Sequence, residues 1–243
     1  MTIADNIRRV QDTIADSCAR SKRDPSDVML VAVSKTKPVD VILDVLNAGL
    51  QHLGENRVEE ASIKIPEVNR KASSRPVWHM IGHVQSRKAK KVLPLFDVIH
   101  SVDSIKLAKK LSSLVEENED NIEKLDVLLE INISGEESKS GFAAFGWLQN
   151  AKRRDTLWQE LDTALHLPGL NVRGLMTMAP IVDNMEQTRP IFAGLADLRD
   201  ALVESFDVSL PDLSMGMTDD YPIAVEEGAT IVRIGRAIFG PRE

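Results

Sequence analysis

The chain has 243 residues, a length that suits one large α/β domain, with 43% hydrophobic and 28% charged residues. A formal net charge of -7 excludes a general nucleic-acid binder, which needs a concentrated basic surface, and the one cysteine, Cys18, excludes an internal disulfide and a cysteine-rich metal site. No run approaches the roughly 20 apolar residues that span a bilayer, and the N-terminus lacks a secretory apolar core, so a soluble protein of the reducing cytoplasm is expected.

In chain order, Ile3, Ile7, Val10, Ile14 and Cys18 recur at helical spacing and predict an amphipathic helix ahead of the first strand. Apolar runs that read as buried strands follow at Met29 to Ser34, His52 to Glu55, Trp78 to Ile81, Val98 to Val102, Val127 to Ile133, Val172 to Met178, Leu213 to Met217 and Ile231 to Ile234. Helical faces lie between them: Val39, Ile42, Leu43 and Leu46, closed by Gly49; Ile105, Ala108, Leu111 and Val115, opened by Asp103 or Ser104; Ile191, Leu195, Leu198 and Leu202. Asp219 or Asp220 would cap a short helix ending at Gly228.

Ser134 to Leu167 departs from this rhythm and reads as a loop plus an extended amphipathic helix over one rim. About eight strands, apolar on both faces and alternating with helices, predict a (β/α)8 TIM-like barrel with an extra N-terminal helix, forming one domain over 1–243. A doubly wound open sheet has the same periodicity.

In such a barrel, reactive groups collect where strands end. Lys35 ends the run Met29-Leu30-Val31-Ala32-Val33, which puts an amine at the mouth of a buried strand. At an unperturbed pKa of about 10.4 only a few such amines in ten thousand are neutral at pH 7, and burial or a nearby cation raises that share, the condition for bonding a carbonyl. A lysine that snorkels from a strand end into solvent is the plainer alternative.

Glu55 and Asn56 end the second strand, Gly82, His83 and Gln85 follow the third, and Ser101, Asp103, Asn132, Ser134, Thr177 and Met178 end later ones. The runs Ser214-Met215-Gly216-Met217 and Arg233-Ile234-Gly235-Arg236 read as an anion site, because glycines let backbone N–H groups approach an oxygen-rich ligand after the last two strands. Arg233 lies within an apolar strand and must meet an anion or an acceptor there. His79 and His83 stand four apart, but Gly82 interrupts any helix, so a metal pair is rejected and a satisfied polar histidine expected. The basic run Arg87-Lys88-Ala89-Lys90-Lys91 reads as a solvated helix face.

Taken together, Val31-Ala32-Val33-Ser34-Lys35-Thr36, Gly54-Glu55-Asn56, Trp78-His79-Met80-Ile81-Gly82, Gly174-Leu175-Met176-Thr177, Leu213-Ser214-Met215-Gly216-Met217 and Val232-Arg233-Ile234-Gly235-Arg236-Ala237-Ile238-Phe239-Gly240 closely resemble the pyridoxal phosphate homeostasis proteins, over nearly the whole chain. The resemblance implies a barrel like the N-terminal domain of alanine racemase, with pyridoxal 5'-phosphate (PLP) held as an aldimine on Lys35. It also implies Ser214 and the backbone of Gly235 and Arg236 at the phosphate, Arg233 facing the pyridine nitrogen, and Asn56 near the ring. An arginine there does not protonate the nitrogen, so carbanion chemistry is disfavoured. The chain departs from the family pattern at Arg57, Arg87 and Arg236, the last of which replaces a hydroxyl residue beside the phosphate.

Two functions compete: a PLP carrier or buffer without a catalytic residue, and a PLP-dependent racemase. Racemisation needs a second acid/base on the opposite face. The one tyrosine, Tyr221, sits at a helix start, and no further region is expected to supply another, which favours the carrier. A phosphate-binding barrel enzyme without PLP is a third reading. Recipient apoenzymes are the expected partners, with no nucleic acid or membrane, and the mixed surface points to a monomer.

Overall fold

The computed structural model describes residues 2–117 and 124–241. Its strands are β1 (Met29–Val33), β2 (His52–Glu55), β3 (Val77–Met80), β4 (Val98–Val102), β5 (Leu125–Asn132), β6 (Phe142–Ala143), β7 (Leu170–Met176), β8 (Asp212–Ser214) and β9 (Ile231–Ile234). Neighbours run from β4 through β3, β2, β1, β9, β8 and β7 to β5, and a β4–β5 pairing closes the ring, so the sheet is a barrel and not an open doubly wound sheet. The pairs around the ring are parallel.

The helices are α1 (Ile3–Ser21), α2 (Val39–Asn47), α3 (Val58–Lys71), α4 (Ala89–Val92), α5 (Ile105–Glu116), α6 (Ala151–Leu165), α7 (Arg189–Phe206), α8 (Tyr221–Glu226) and α9 (Arg236–Phe239). Their apolar faces pack on the outward strand residues, because successive strand side chains alternate between faces. Leu30, Ala32, Leu53, Trp78, Met80, Leu129, Leu175, Leu213, Val232 and Ile234 belong to that outer core. The alternate positions therefore line the interior: Val31 and Val33 in β1, His79 in β3, Leu128 and Glu130 in β5, Met176 in β7, Ser214 in β8, and Ile231 and Arg233 in β9, all of them buried.

The extra helix α1 opens with a capping box in which Thr2 accepts from the Asp5 N–H at 3.1 Å and the Asp5 carboxylate accepts from the Thr2 N–H at 3.0 Å. It buries Ile7, Val10, Ile14 and Cys18 against α8 and α9, and the Asn6 amide donates to the Ile238 carbonyl at 2.8 Å. Since α8 and α9 are only 6 and 4 residues long, α1 completes that flank of the helical ring.

Ser104 caps α5, accepting from the Leu107 N–H. Asp220 precedes α8 but makes no side-chain cap there; its carboxylate accepts instead from the Met217 N–H at 2.6 Å. The irregular segment contains α6 as expected. It also contains β6, which pairs parallel with the end of β5 through Ile131 and Phe142. Gly141 permits that return at φ +116°: a Cβ there would lie 2.7 Å from the Glu130 carbonyl oxygen. Helix α3 buries Val58, Ala61, Ile65 and Val68 despite Pro66 in its interior.

Candidate cofactor site

The reactive groups gather at the C-terminal mouth of the ring. Lys35 follows β1 two residues after Val33, on the row of Val31 and Val33 that faces the interior, and is half-buried. Its backbone is clamped from outside the barrel. Ser34 donates its hydroxyl proton to Glu55 Oε1 at 2.6 Å, and Lys64 Nζ on α3 donates to the Ser34 carbonyl at 3.0 Å, to Glu55 Oε1 at 2.9 Å and to Glu60 Oε1 at 2.5 Å. Glu60 in turn accepts from the Thr36 N–H at 2.6 Å. Thr36 is held at φ +64°, a left-handed conformation that a β-branched residue adopts only when its surroundings impose it. Burial raises the Glu55 carboxyl, against the lowering pull of Ser34 and Lys64, and its Oε2 is buried without a partner.

Arg233 stands on β9, whose register pairs it with Val31, so the arginine and the lysine occupy adjacent inward rows at different heights. Its guanidinium is 4% exposed, donating through Nη1 to Ser214 Oγ at 2.6 Å and through Nη2 to the Thr177 carbonyl at 3.0 Å. Burial lowers it to about 10, opposed by Asp220 and Glu130, so it stays cationic at neutral pH. Glu130 on β5 is pushed up to about 7, chiefly by burial and then by Asp103.

Ser214 ends β8 and is 0% exposed. In this structure its hydroxyl engages Arg233 and, at 2.8 Å, His100 Nδ1. Arginine accepts nothing, so the hydroxyl oxygen is the acceptor in the first of these bonds, and His100 is its other partner. Arg236 turns its guanidinium to Asp219, an ion pair that draws the loop after β8 against the start of α9. Thr218 is half-buried in that loop, next to Asp219 in sequence.

Asn56, half-buried after β2, is fixed through its backbone: a Cβ on Gly82 would come within 2.3 Å of the Asn56 carbonyl oxygen, so only glycine lets the two strand ends meet. Gly216, at φ +91°, is likewise forced, because a Cβ there would lie 2.6 Å from that of Ala224. Gly235 differs. Its φ is -110°, and a Cβ would meet only Val33 at 3.6 Å, an ordinary contact. Neither backbone nor packing demands a glycine at this strand end, which leaves close approach of a ligand as its physical reason.

His79 is satisfied, as its strand position implied, by His52 and His100 on either side. His83 is instead paired with Asp103 at 2.8 Å, and no cluster of three or more metal-ligating side chains occurs among the described residues. His52, His100, Lys64, Glu60 and Glu130 were passed over in the sequence. The argument applied to Arg233, a polar group inside an apolar strand, would have found His100.

The family model described as alanine racemase, N-terminal domain, matches residues 2–243 of this closed parallel barrel. The chain belongs to the pyridoxal phosphate homeostasis protein family. It is 39% identical over 243 residues to the pyridoxal phosphate homeostasis protein of Aquifex aeolicus, covering 100% of both chains. It superposes on PipY of Synechococcus elongatus with PLP bound at a TM-score of 0.77 and 35% identity, covering 93% of this chain and 100% of that one. Alanine racemase of Clostridium difficile shares the fold at a TM-score of 0.70 and 16% identity, with 98% of this chain on 57% of that one.

Proposed function

We propose that this chain binds PLP on Lys35 and carries or buffers it, acting as a single PLP-binding domain and not as an amino-acid racemase. The observation that carries this reading is the pairing of Lys35 and Arg233 on adjacent inward rows, with an unforced Gly235 beside them. When bound, PLP supplies an aldehyde that a lysine amine captures reversibly. Lys35 provides the amine, and the clamp of Glu55, Lys64 and Glu60 holds the backbone on both sides of it. Arg233 presents a permanent cation to the pyridine side, while Asn56 flanks the ring. The backbone N–H groups of Gly235 and Arg236 receive the phosphate, with the hydroxyls at the end of β8 and in the loop after it, Ser214 and Thr218, as further donors.

Absence of turnover fits the surroundings. Tyr221, the one tyrosine, is 7% exposed at the start of α8 with its Cα close to Gly216, whereas a second acid/base must face the substrate. The homeostasis name carried by the Aquifex aeolicus relative and the PLP-bound state of PipY support the same reading. Recipient apoenzymes would meet the rim, where Met178 and Met217 after β7 and β8 are exposed. No helix among the described residues is long and apolar enough to cross a membrane.

The test is the visible absorption band of the purified chain after incubation with PLP. It is expected in the wild type and lost in Lys35→Ala, with borohydride fixing the pyridoxyl mass on the Lys35 peptide. A wild type that stays colourless, or a label elsewhere, overturns the reading. Rapid inversion of a single amino-acid enantiomer by the loaded protein would overturn the carrier function in favour of the racemase.

A further inference from the structure

A continuous hydrogen-bonded chain crosses the barrel interior. His52 Nδ1 meets His79 Nε2 at 3.0 Å, His79 Nδ1 meets His100 Nε2 at 2.8 Å, His100 Nδ1 meets Ser214 Oγ at 2.8 Å, and Ser214 Oγ receives Arg233 Nη1 at 2.6 Å. The strand register builds it. His52 pairs with Val77 and His79 with Val98, so each histidine stands two residues further along its own strand than the partner of the one before. A step of two keeps the side chain on the inward face, and the row climbs from the base of β2 to the middle of β4. From there His100 reaches across the interior to β8.

We propose that His52, His79, His100 and Ser214 form a relay of fixed direction that positions the Arg233 guanidinium, with every proton in it placed by that arginine. The direction follows from donor counting. Arginine has only donors, so Ser214 Oγ accepts from it; His100 Nδ1 is the other hydrogen-bond partner of that oxygen among the described residues, so a buried hydroxyl that must place its single proton gives it to His100 Nδ1. His100 then carries its own proton on Nε2 and donates to His79 Nδ1. His79 carries its proton on Nε2 and donates to His52 Nδ1. His52 is left with its proton on Nε2, at the half-buried start of β2.

An imidazolium at His79 or His100 would set two donors against each other, so both must be neutral. Burial acts in the same sense, holding His100 well below the usual imidazole range and His79 at about 3. Without the relay, Ser214 would lose its acceptor and could turn, leaving Arg233 anchored only by the Thr177 carbonyl. The relay thus deepens the proposed function by naming what orients the arginine at the pyridine side, and in that respect it rests on the PLP reading. Its direction does not.

The test uses the full chain without cofactor. Long-range 1H–15N correlation of the histidine rings at pH 7 should show His79 and His100 neutral and protonated on Nε2 alone. Protonation on Nδ1, or an imidazolium at either residue, would overturn the relay. In Arg233→Met, which is nearly isosteric and removes the polarising donor, Ser214 is free to accept from His100, and the Nδ1-protonated form should appear. Retention of pure Nε2 forms there would show that the arginine does not set the direction.

With PLP added, His100→Phe should weaken uptake about tenfold, the effect of releasing one hydrogen-bond anchor of a charged group. Unchanged affinity would refute the positioning role. A colourless wild type would fail the PLP reading, whereas a wrong tautomer in the cofactor-free chain would fail the relay.

Discussion

Two buried polar clusters flank the lysine, and they solve opposite problems. Outside the barrel, Glu55, Lys64 and Glu60 form a charged ledge that grips the backbone at Ser34 and Thr36. Inside, His52, His79, His100 and Ser214 are neutral and grip a side chain, the Arg233 guanidinium. The ledge can hold ions because Glu60 reaches the surface and every charge on it meets an opposite one. The interior admits one cation, which Asp220 and Glu130 partly offset, and fixes its guanidinium on uncharged acceptors, Ser214 Oγ and the Thr177 carbonyl.

The contrast is broken most forcefully by removing the ledge cation. Lys64→Met leaves Glu55 buried without its counter-ion and is expected to cost about 3–5 kcal/mol in urea unfolding. The double variant with Glu55→Leu should recover most of that loss; failure to recover would mean that α3 packing, not charge, governs the site.

Next is Glu130, whose folded carboxyl titrates at about 7 against 4.5 unfolded. A raised carboxyl pKa gives stability that is fully present below 4.5 and lost as pH rises through about 7. Glu130→Gln should therefore exceed the wild type by about 3 kcal/mol at pH 8 and match it near pH 4, read from urea midpoints of the cofactor-free chain.

The interior imidazoles work in the other direction. His79 and His100 are depressed by burial below the usual 6.5, so their contribution is intact above that value and lost as pH falls. Between pH 7 and 5.5 the two should together cost roughly 2 kcal/mol, and His79→Phe should flatten that slope. Since Glu130 gains stability over the same range, the slope is read in the Glu130→Gln background, where a level stability would sink the neutral-interior account. The smallest effect belongs to the surface. Arg20→Ala breaks an exposed pair with Glu226 and should change stability by less than about 0.5 kcal/mol.

The barrel was legible because its strands are buried on both faces: Met29–Val33 and Ile231–Ile234 stand out as unbroken apolar runs, and Lys35 and Arg233 as the polar residues that interrupt or end them. Helix α3 was not, since Lys64 and Pro66 dilute its apolar stripe, and both are explained only by neighbours in space. The two-residue strand β6 carries no periodicity at all. The depth of Ser214 was not legible, since distance from Gly235 in sequence says nothing about height in the barrel; the register sets it beside Ile231, at the start of β9. The histidine relay joins residues 21 to 114 positions apart, a closeness that exists only once the ring is closed.

Helix α1 hides the one thiol of the chain completely, with Cys18 at 0% exposure beneath its docked face. A thiol reagent can therefore modify this protein only when that helix lifts away. The rate of labelling is a built-in clock for the opening of the N-terminal segment, readable without any engineered tag.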